Sequence, residues 1–191
     1  MFILASASPA RRRLLRGHSF KVDPTGVREI KLKGLRATTV ENARRKAEAA
    51  ARRHPHAWVL AADTMVGYGG KIYGKPRDRK AALRLWERMA GKTHLLGTGL
   101  VLQKGSFRIV KYAVSKVRLR PAAEVLKLLK THDPTKYAGG YAIRTVKSAG
   151  RPGGIDLSPR DPLVESIEGS VTNVIGLPLE VVEPLLRNLG K

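Results

Sequence analysis

The sequence reads as an α/β protein, because short apolar strand runs alternate along it with segments carrying the helical period. Three observations carry that reading. Phe2–Ala5 is a short apolar run, and Ser8-Pro9 after it looks like a helix start, with Ser as N-cap and Pro at the first helical position. Trp58–Ala62 is a continuous apolar run, as expected of a strand covered on both faces. Thr38–Arg53 and Asp78–Ala90 both place apolar residues at helical spacing.

A length of 191 residues leaves room for one domain, or one domain with two lobes, and for a proper core. A 42% hydrophobic and 27% charged composition excludes a disordered chain. The chain contains no cysteine, which excludes disulfides and thiolate metal sites. No basic leader precedes the Phe2 run and no apolar window is long enough to span a bilayer, so a cytoplasmic protein is expected. The net charge of +22 has three competing explanations: nucleic-acid binding, a small polyanionic substrate, or background enrichment in charge. Aromatic residues make up only 5%, few for a base-stacking surface.

Taken in order, the first helix should cover Ala10–Leu15. Arg11, Arg12 and Arg13 stand at its positive end, where each costs roughly 0.3–1 kcal/mol unless an anion docks there. Phe20–Val22 reads as a brief strand, followed by a loop in which Glu29 is an isolated acid among Arg28 and Lys31; taken alone, it reads as a solvated surface residue. Thr38-Thr39-Val40-Glu41 has the pattern of a capping box opening a helix to about Arg53. That helix would bury Val40, Ala43, Ala47 and Ala51 and carry the pairs Glu41/Arg45 and Glu48/Arg52. Lys46 borders the buried stripe, where it either snorkels or reaches into a cleft.

Asp63-Thr64 ends the Trp58–Ala62 run, and an acid at the C-terminal end of a buried strand is where open α/β sheets place ligand chemistry. Met65–Pro76 looks like a hairpin around Gly69-Gly70. Gly69, Gly74 and Lys75 match the spacing of a phosphate-binding loop, but Pro76 replaces its metal-binding hydroxyl and Lys71–Tyr73 is strand-like, so that reading fails. Asp78–Ala90 is an amphipathic helix burying Ala82, Leu85, Trp86 and Met89, with Trp86 read as core rather than as a ligand stack. His94–Gln103 and Phe107–Leu119 are strands around Lys104-Gly105, and Pro121 opens a helix to about Lys130. Thr145–Pro162 is long, glycine- and proline-rich and aperiodic. Leu163–Val171 reads as a hairpin, and Gly176-Leu177-Pro178 starts a last helix burying Val182, Leu185, Leu186 and Leu189.

The histidines are scattered without metal-ligand spacing, and no nucleophile elbow occurs. Ser8 and Arg11, the lysines Lys46 and Lys75, and the acids Glu29 and Asp63 remain. Cations, a hydroxyl and acids without a covalent nucleophile suit phosphate-ester or anhydride chemistry. The segments LASASPARRRLL, ADTMV, GKIYGKP, ERMAGKTHLLGTGL, AGGYAI and IEGSVTNVIGLPL, in this order from Leu4 to about Leu186, resemble the Maf family of nucleoside triphosphate pyrophosphatases.

The resemblance implies a single domain over residues 1–191 with a Maf/inosine-triphosphatase-like mixed α/β fold, an elongated twisted sheet, and a cleft between two lobes. It implies metal-dependent hydrolysis of a nucleoside triphosphate to the monophosphate and pyrophosphate, with magnesium or manganese as cofactor. The family's roles are removal of non-standard nucleotides or cell-division control, and a homodimer is implied. By the same resemblance Ser8, Arg11 and Lys46 contact the substrate, and Lys75 matches the lysine of the GKP motif. Asp63 is base or metal ligand, and Glu29, placed only by its distance after Phe20–Val22, helps to bind metal. The sequence departs from the family pattern in three places. Ala10 replaces an arginine, Thr145–Pro162 is an insertion, and Arg144 replaces the glutamine usual in pyrimidine-preferring members, which leaves base preference open. The alternative from another class is a nucleic-acid-binding protein on the same fold.

Overall fold

A computed structural model describes residues 1–122, 133–141, 143, 145–147, 155–157 and 163–190. Seven strands form one mixed sheet: β1 (Phe2–Leu4), β2 (Phe20–Val22), β3 (Val59–Tyr68), β4 (Lys71–Tyr73), β5 (Thr93–Lys104), β6 (Phe107–Leu119) and β9 (Val164–Glu168). Their order is β2-β1-β3-β5-β6-β9, with β4 paired to β3. β1 is parallel to both β2 and β3, whereas β4 and β9 run antiparallel to their partners. The helices described are α1 (Pro9–Leu14), α2 (Leu35–Arg53), α3 (Arg79–Met89), α4 (Val171–Ile175) and α5 (Leu179–Arg187).

The chain divides into two compact units. The first comprises Met1–Thr64, Gly97–Ala113 and Gly176–Lys191. Its core sets the alanine face of α2 (Ala43, Ala47, Ala50, Ala51) against Ile3, Val59, Ala61 and Val101. Small side chains let helix and sheet approach closely, and the approach is tightest at Gly99: a Cβ there would overlap the Thr39 carbonyl and stand 2.5 Å from the Val40 nitrogen. The second unit comprises Met65–Leu96 and Val114–Ile175. Its core joins Leu85, Trp86 and Met89 of α3 to Val66, Leu96, Val117, Leu119, Tyr141, Leu163 and Val164. Trp86 is fully buried and its Nε1 donates to the Gly139 carbonyl at 3.0 Å, which makes it a core residue as the spacing predicted.

Several elements differ from the sequence reading. α2 begins one turn before the predicted capping box, because the Thr38 hydroxyl is engaged with the Leu32 backbone rather than with its own helix. On that helix Arg44, not Arg45 or Arg52, pairs with Glu41 and Glu48, and Val40 is only half-buried. β3 does not stop at Ala62 but runs on to Tyr68, where the positive φ values of Gly69 and Gly70 make the predicted hairpin turn into β4. Thr145–Pro162 is not devoid of structure: β7 (Thr145–Lys147) and β8 (Ile155–Leu157) pair antiparallel. The Leu163–Val171 segment is a single strand, β9, laid against β6, followed by α4. In α5 Val182 and Leu186 are buried, while Leu185 and, just beyond it, Leu189 are half-buried. The helix predicted from Pro121 lies, apart from its first residues, outside the described residues.

Candidate active site

The site in the first unit is set by where β3 outruns its neighbour. β1 accompanies β3 through the pair Leu4 and Leu60, and the Ala5 N–H closes the parallel ladder on the Leu60 carbonyl at 2.9 Å. Asp63 follows three residues later, within the strand but beyond the end of β1. It is 2% exposed, so its charge needs partners. Oδ1 accepts from Lys46 Nζ at 2.6 Å and Oδ2 from Asn42 Nδ2 at 3.1 Å. Lys46 Nζ also donates to Glu29 Oε1 at 2.7 Å. The side chains of Asp63, Lys46 and Glu29 are 3%, 14% and 48% exposed, which orders them from the closed end of the site to solvent.

The loop carrying Glu29 is fastened to α2. Asn42 accepts from the Ile30 N–H at 2.9 Å and donates to the Ile30 carbonyl at 3.0 Å, and Arg45 donates to the Arg28 carbonyl. Thr38 exchanges two hydrogen bonds with Leu32. These contacts bring Glu29, a solvated glutamate by sequence alone, onto the lysine that Asp63 also uses. Burial pushes the Asp63 carboxyl above the ordinary carboxylate range; the Lys46 charge opposes that rise, and the negative charge of Glu29 adds to it.

Arg11 answers the puzzle of the misplaced arginines. Its guanidinium turns inward, where Nε donates to the Gly176 carbonyl at 2.9 Å and Nη1 to the Ala62 carbonyl at 2.9 Å and Ser6 Oγ at 3.0 Å. Nη2 donates to Thr64 Oγ1 at 3.0 Å, so Arg11 grips β3 on both sides of Asp63 in sequence. Burial lowers its pKa, and the nearby charges of Asp63 and Glu29 act against that. Ser8 caps α1 by accepting from the Arg11 N–H at 3.4 Å, and Arg12 and Arg13 are exposed. Of the sequence-predicted residues, Asp63, Glu29 and Lys46 form one contact cluster, and Ser8 and Arg11 lie in the same unit. Lys75 belongs to the second unit, where it is exposed between β4 and α3. Arg144 lies outside the described residues. Asn42 escaped the sequence reading. Its signal was a polar side chain next to the buried Ala43 and one turn before Lys46, where burial demands a partner.

Among the described residues no group of three histidine, aspartate or glutamate side chains gathers to hold an ion by itself. Glu29 and Asp63 nevertheless both reach one positive centre, the Lys46 ammonium. Two carboxylates so placed would fit a hard divalent cation, which takes oxygen ligands and usually keeps several waters.

A buried acid, a shared lysine and a second acid, set beside a strand that outruns its parallel neighbour in a mixed sheet, define an α/β protein equipped for polar chemistry on an anionic ligand. The chain belongs to the Maf-like protein family, whose model matches residues 1–189. It is 37% identical to a dTTP/UTP pyrophosphatase of Myxococcus xanthus over 100% of this chain and 93% of that protein. The protein of the same name from Latilactobacillus sakei is 34% identical, with 98% of this chain and 100% of the relative covered. That from Pyrococcus furiosus is 36% identical over 97% and 93% of the two chains.

Proposed function

We propose that this chain is a nucleoside triphosphate pyrophosphatase, a hydrolase of acid anhydrides, and that dTTP and UTP are its substrates. Water attacks the α-phosphorus, a bond forms between its oxygen and phosphorus, and the bond to the bridging oxygen of the β-phosphate breaks. Nucleoside monophosphate and pyrophosphate result, and Asp63 accepts the proton released by the water. The observation that carries this reading is the sharing of Lys46 between Asp63 and Glu29. A buried carboxylate there is positioned to take a proton while a cation beside it offsets phosphate charge. Family membership and the names of three full-length relatives support the reaction and the pyrimidine substrates.

Lys46 meets the triphosphate, and Lys75 supplies further positive charge to it. Ser8, Arg11 and Arg144 complete substrate binding, with Arg144 acting at the base. Magnesium or manganese would be held by Glu29 and Asp63, and when bound it would neutralise phosphate charge and polarise the scissile bond. Residues 1–191 act as one functional domain, as a cytoplasmic homodimer. No helix among the described residues is long and apolar enough to cross a membrane.

The test is pyrophosphate release from a panel of dTTP, UTP, dCTP, ATP and GTP, with magnesium, with manganese and with chelator. Turnover of dTTP and UTP that stops on chelation supports the reading. No release from any nucleotide, together with steeply salt-dependent binding to DNA or RNA, overturns it in favour of a nucleic-acid-binding role.

A further inference from the structure

Asn42 is 1% exposed and cannot reach a substrate, yet its three hydrogen bonds join Asp63 to the backbone of Ile30, the neighbour of Glu29. One Nδ2 proton goes to Asp63 Oδ2 at 3.1 Å and the other to the Ile30 carbonyl at 3.0 Å, while Oδ1 accepts from the Ile30 N–H at 2.9 Å. The amide therefore uses both donors, and its orientation is set independently at each end: an ionised carboxylate only accepts, and a backbone N–H only donates. Lys46, one helical turn later on the same face, makes the same connection with charge, from Asp63 Oδ1 to Glu29. Asn42 and Lys46 are thus two rungs between one strand residue and one loop. The neutral rung is at the closed end and the charged rung is toward solvent.

We infer that Asn42 is a positioning residue for Asp63. It holds Oδ2 so that Oδ1 is the oxygen presented to the reacting groups, and it holds the Glu29 loop at the matching distance. This role rests on the reaction proposed above, but the contact behind it does not. A carboxylate free to rotate about its last bond would spend part of its time turned away, and a misplacement of about 1 Å can cost on the order of a hundredfold in rate. Binding should be spared, because Asn42 touches no phosphate and Arg45 and Lys46 still fasten the Glu29 loop to α2.

Two variants test this. Asn42→Leu removes every hydrogen bond at similar volume. Asn42→Asp keeps the acceptor for the Ile30 N–H, loses the amide donors and sets a second carboxyl against Asp63. Both should lower kcat for dTTP at least about tenfold, with KM and the Kd of a non-hydrolysable α,β-methylene analogue within about threefold of wild type. Wild-type kcat in Asn42→Leu, with its fold confirmed by circular dichroism, overturns the inference, as does a rise in KM that accounts for the whole loss. A readout independent of turnover covers variants that fail to fold. In nitrogen-edited spectra of the whole chain, the Asn42 side-chain amide protons should shift on Asp63→Asn, and unchanged resonances overturn the contact itself. A wild type that hydrolyses no nucleotide refutes the proposed reaction, while the amide shift still reports on the contact.

Discussion

Gly99→Ala tests the packing that carries the site without touching any residue of it. The backbone of Gly99 lies outside the positive-φ region, so alanine is conformationally allowed there; only space forbids it. The new methyl would overlap the carbonyl group of Thr39 and stand 2.5 Å from the Val40 nitrogen. Ordinary contact is about 3.5 Å, so α2 must withdraw from β5 by about 1 Å. The obstacle is backbone, which cannot rotate aside as a flexible side chain would. Overpacking of this kind costs about 3 kcal/mol, and the smaller unfolded-state entropy of alanine offsets at most about 1 kcal/mol. A net loss of about 2 kcal/mol lowers Tm by roughly 4–8 °C for a chain of this size. Because α2 also bears Asn42 and Lys46, kcat should fall with it, well below the temperature at which the variant melts. Differential scanning calorimetry and pyrophosphate release read the two effects. A Tm within 1 °C of wild type (roughly 0.3–0.5 kcal/mol) together with undiminished kcat would refute the close approach and the transmission from it.

Asp63→Asn should lower kcat by about 10²–10⁴, the usual contribution of a general base, while leaving the fold intact by circular dichroism. Lys46→Gln leaves Asp63 and Glu29 without their shared cation, and pyrophosphate release at neutral pH should fall more than about tenfold. His94 sets an acid limit on stability. Its ring is buried against the Tyr141 hydroxyl, 2.6 Å from Nε2, and burial lowers its pKa to about 4. Unfolded chains bind that proton near pH 6.5 and the folded chain does not, so stability present above pH 6.5 is lost as pH falls toward 4, by about 3 kcal/mol in all. Urea unfolding at pH 7 and at pH 4.5 measures the slope, which His94→Phe should flatten; equal slopes would sink this assignment.

Most strands and helices were legible because burial leaves a periodic trace. The Trp58–Ala62 run, the Gly69-Gly70 turn and the apolar face of α3 lie as their residues predict. What escaped was decided by contacts distant in sequence. The Thr38 capping pattern is real chemistry spent on another partner, since a hydroxyl that meets the Leu32 backbone cannot also cap its own helix. Charge at Arg11–Arg13 signalled something unusual, but only the fold reveals that one arginine turns inward and two face solvent. Taken without the family resemblance, Glu29 reads as a surface residue because its partner stands 17 positions away on another element. Asn42 drew no reading at all, because its value lies in an orientation rather than in a charge.

In the proposed reaction Lys46 is the cation that both carboxylates share and that the triphosphate also claims. A triphosphate that draws its ammonium outward strips Asp63 and Glu29 of their common neutraliser at the same moment and leaves two negative groups facing one another. An arriving cation, or a proton on one of the two carboxyls, relieves that repulsion. Conversely, a cation arriving alone meets a lysine already in place. Nucleotide and divalent ion should therefore favour one another's binding, and by thermodynamic reciprocity each should tighten the other by the same factor. On the proposed function, the rung that looks like a structural ion pair at rest is the point at which the two ligands are coupled.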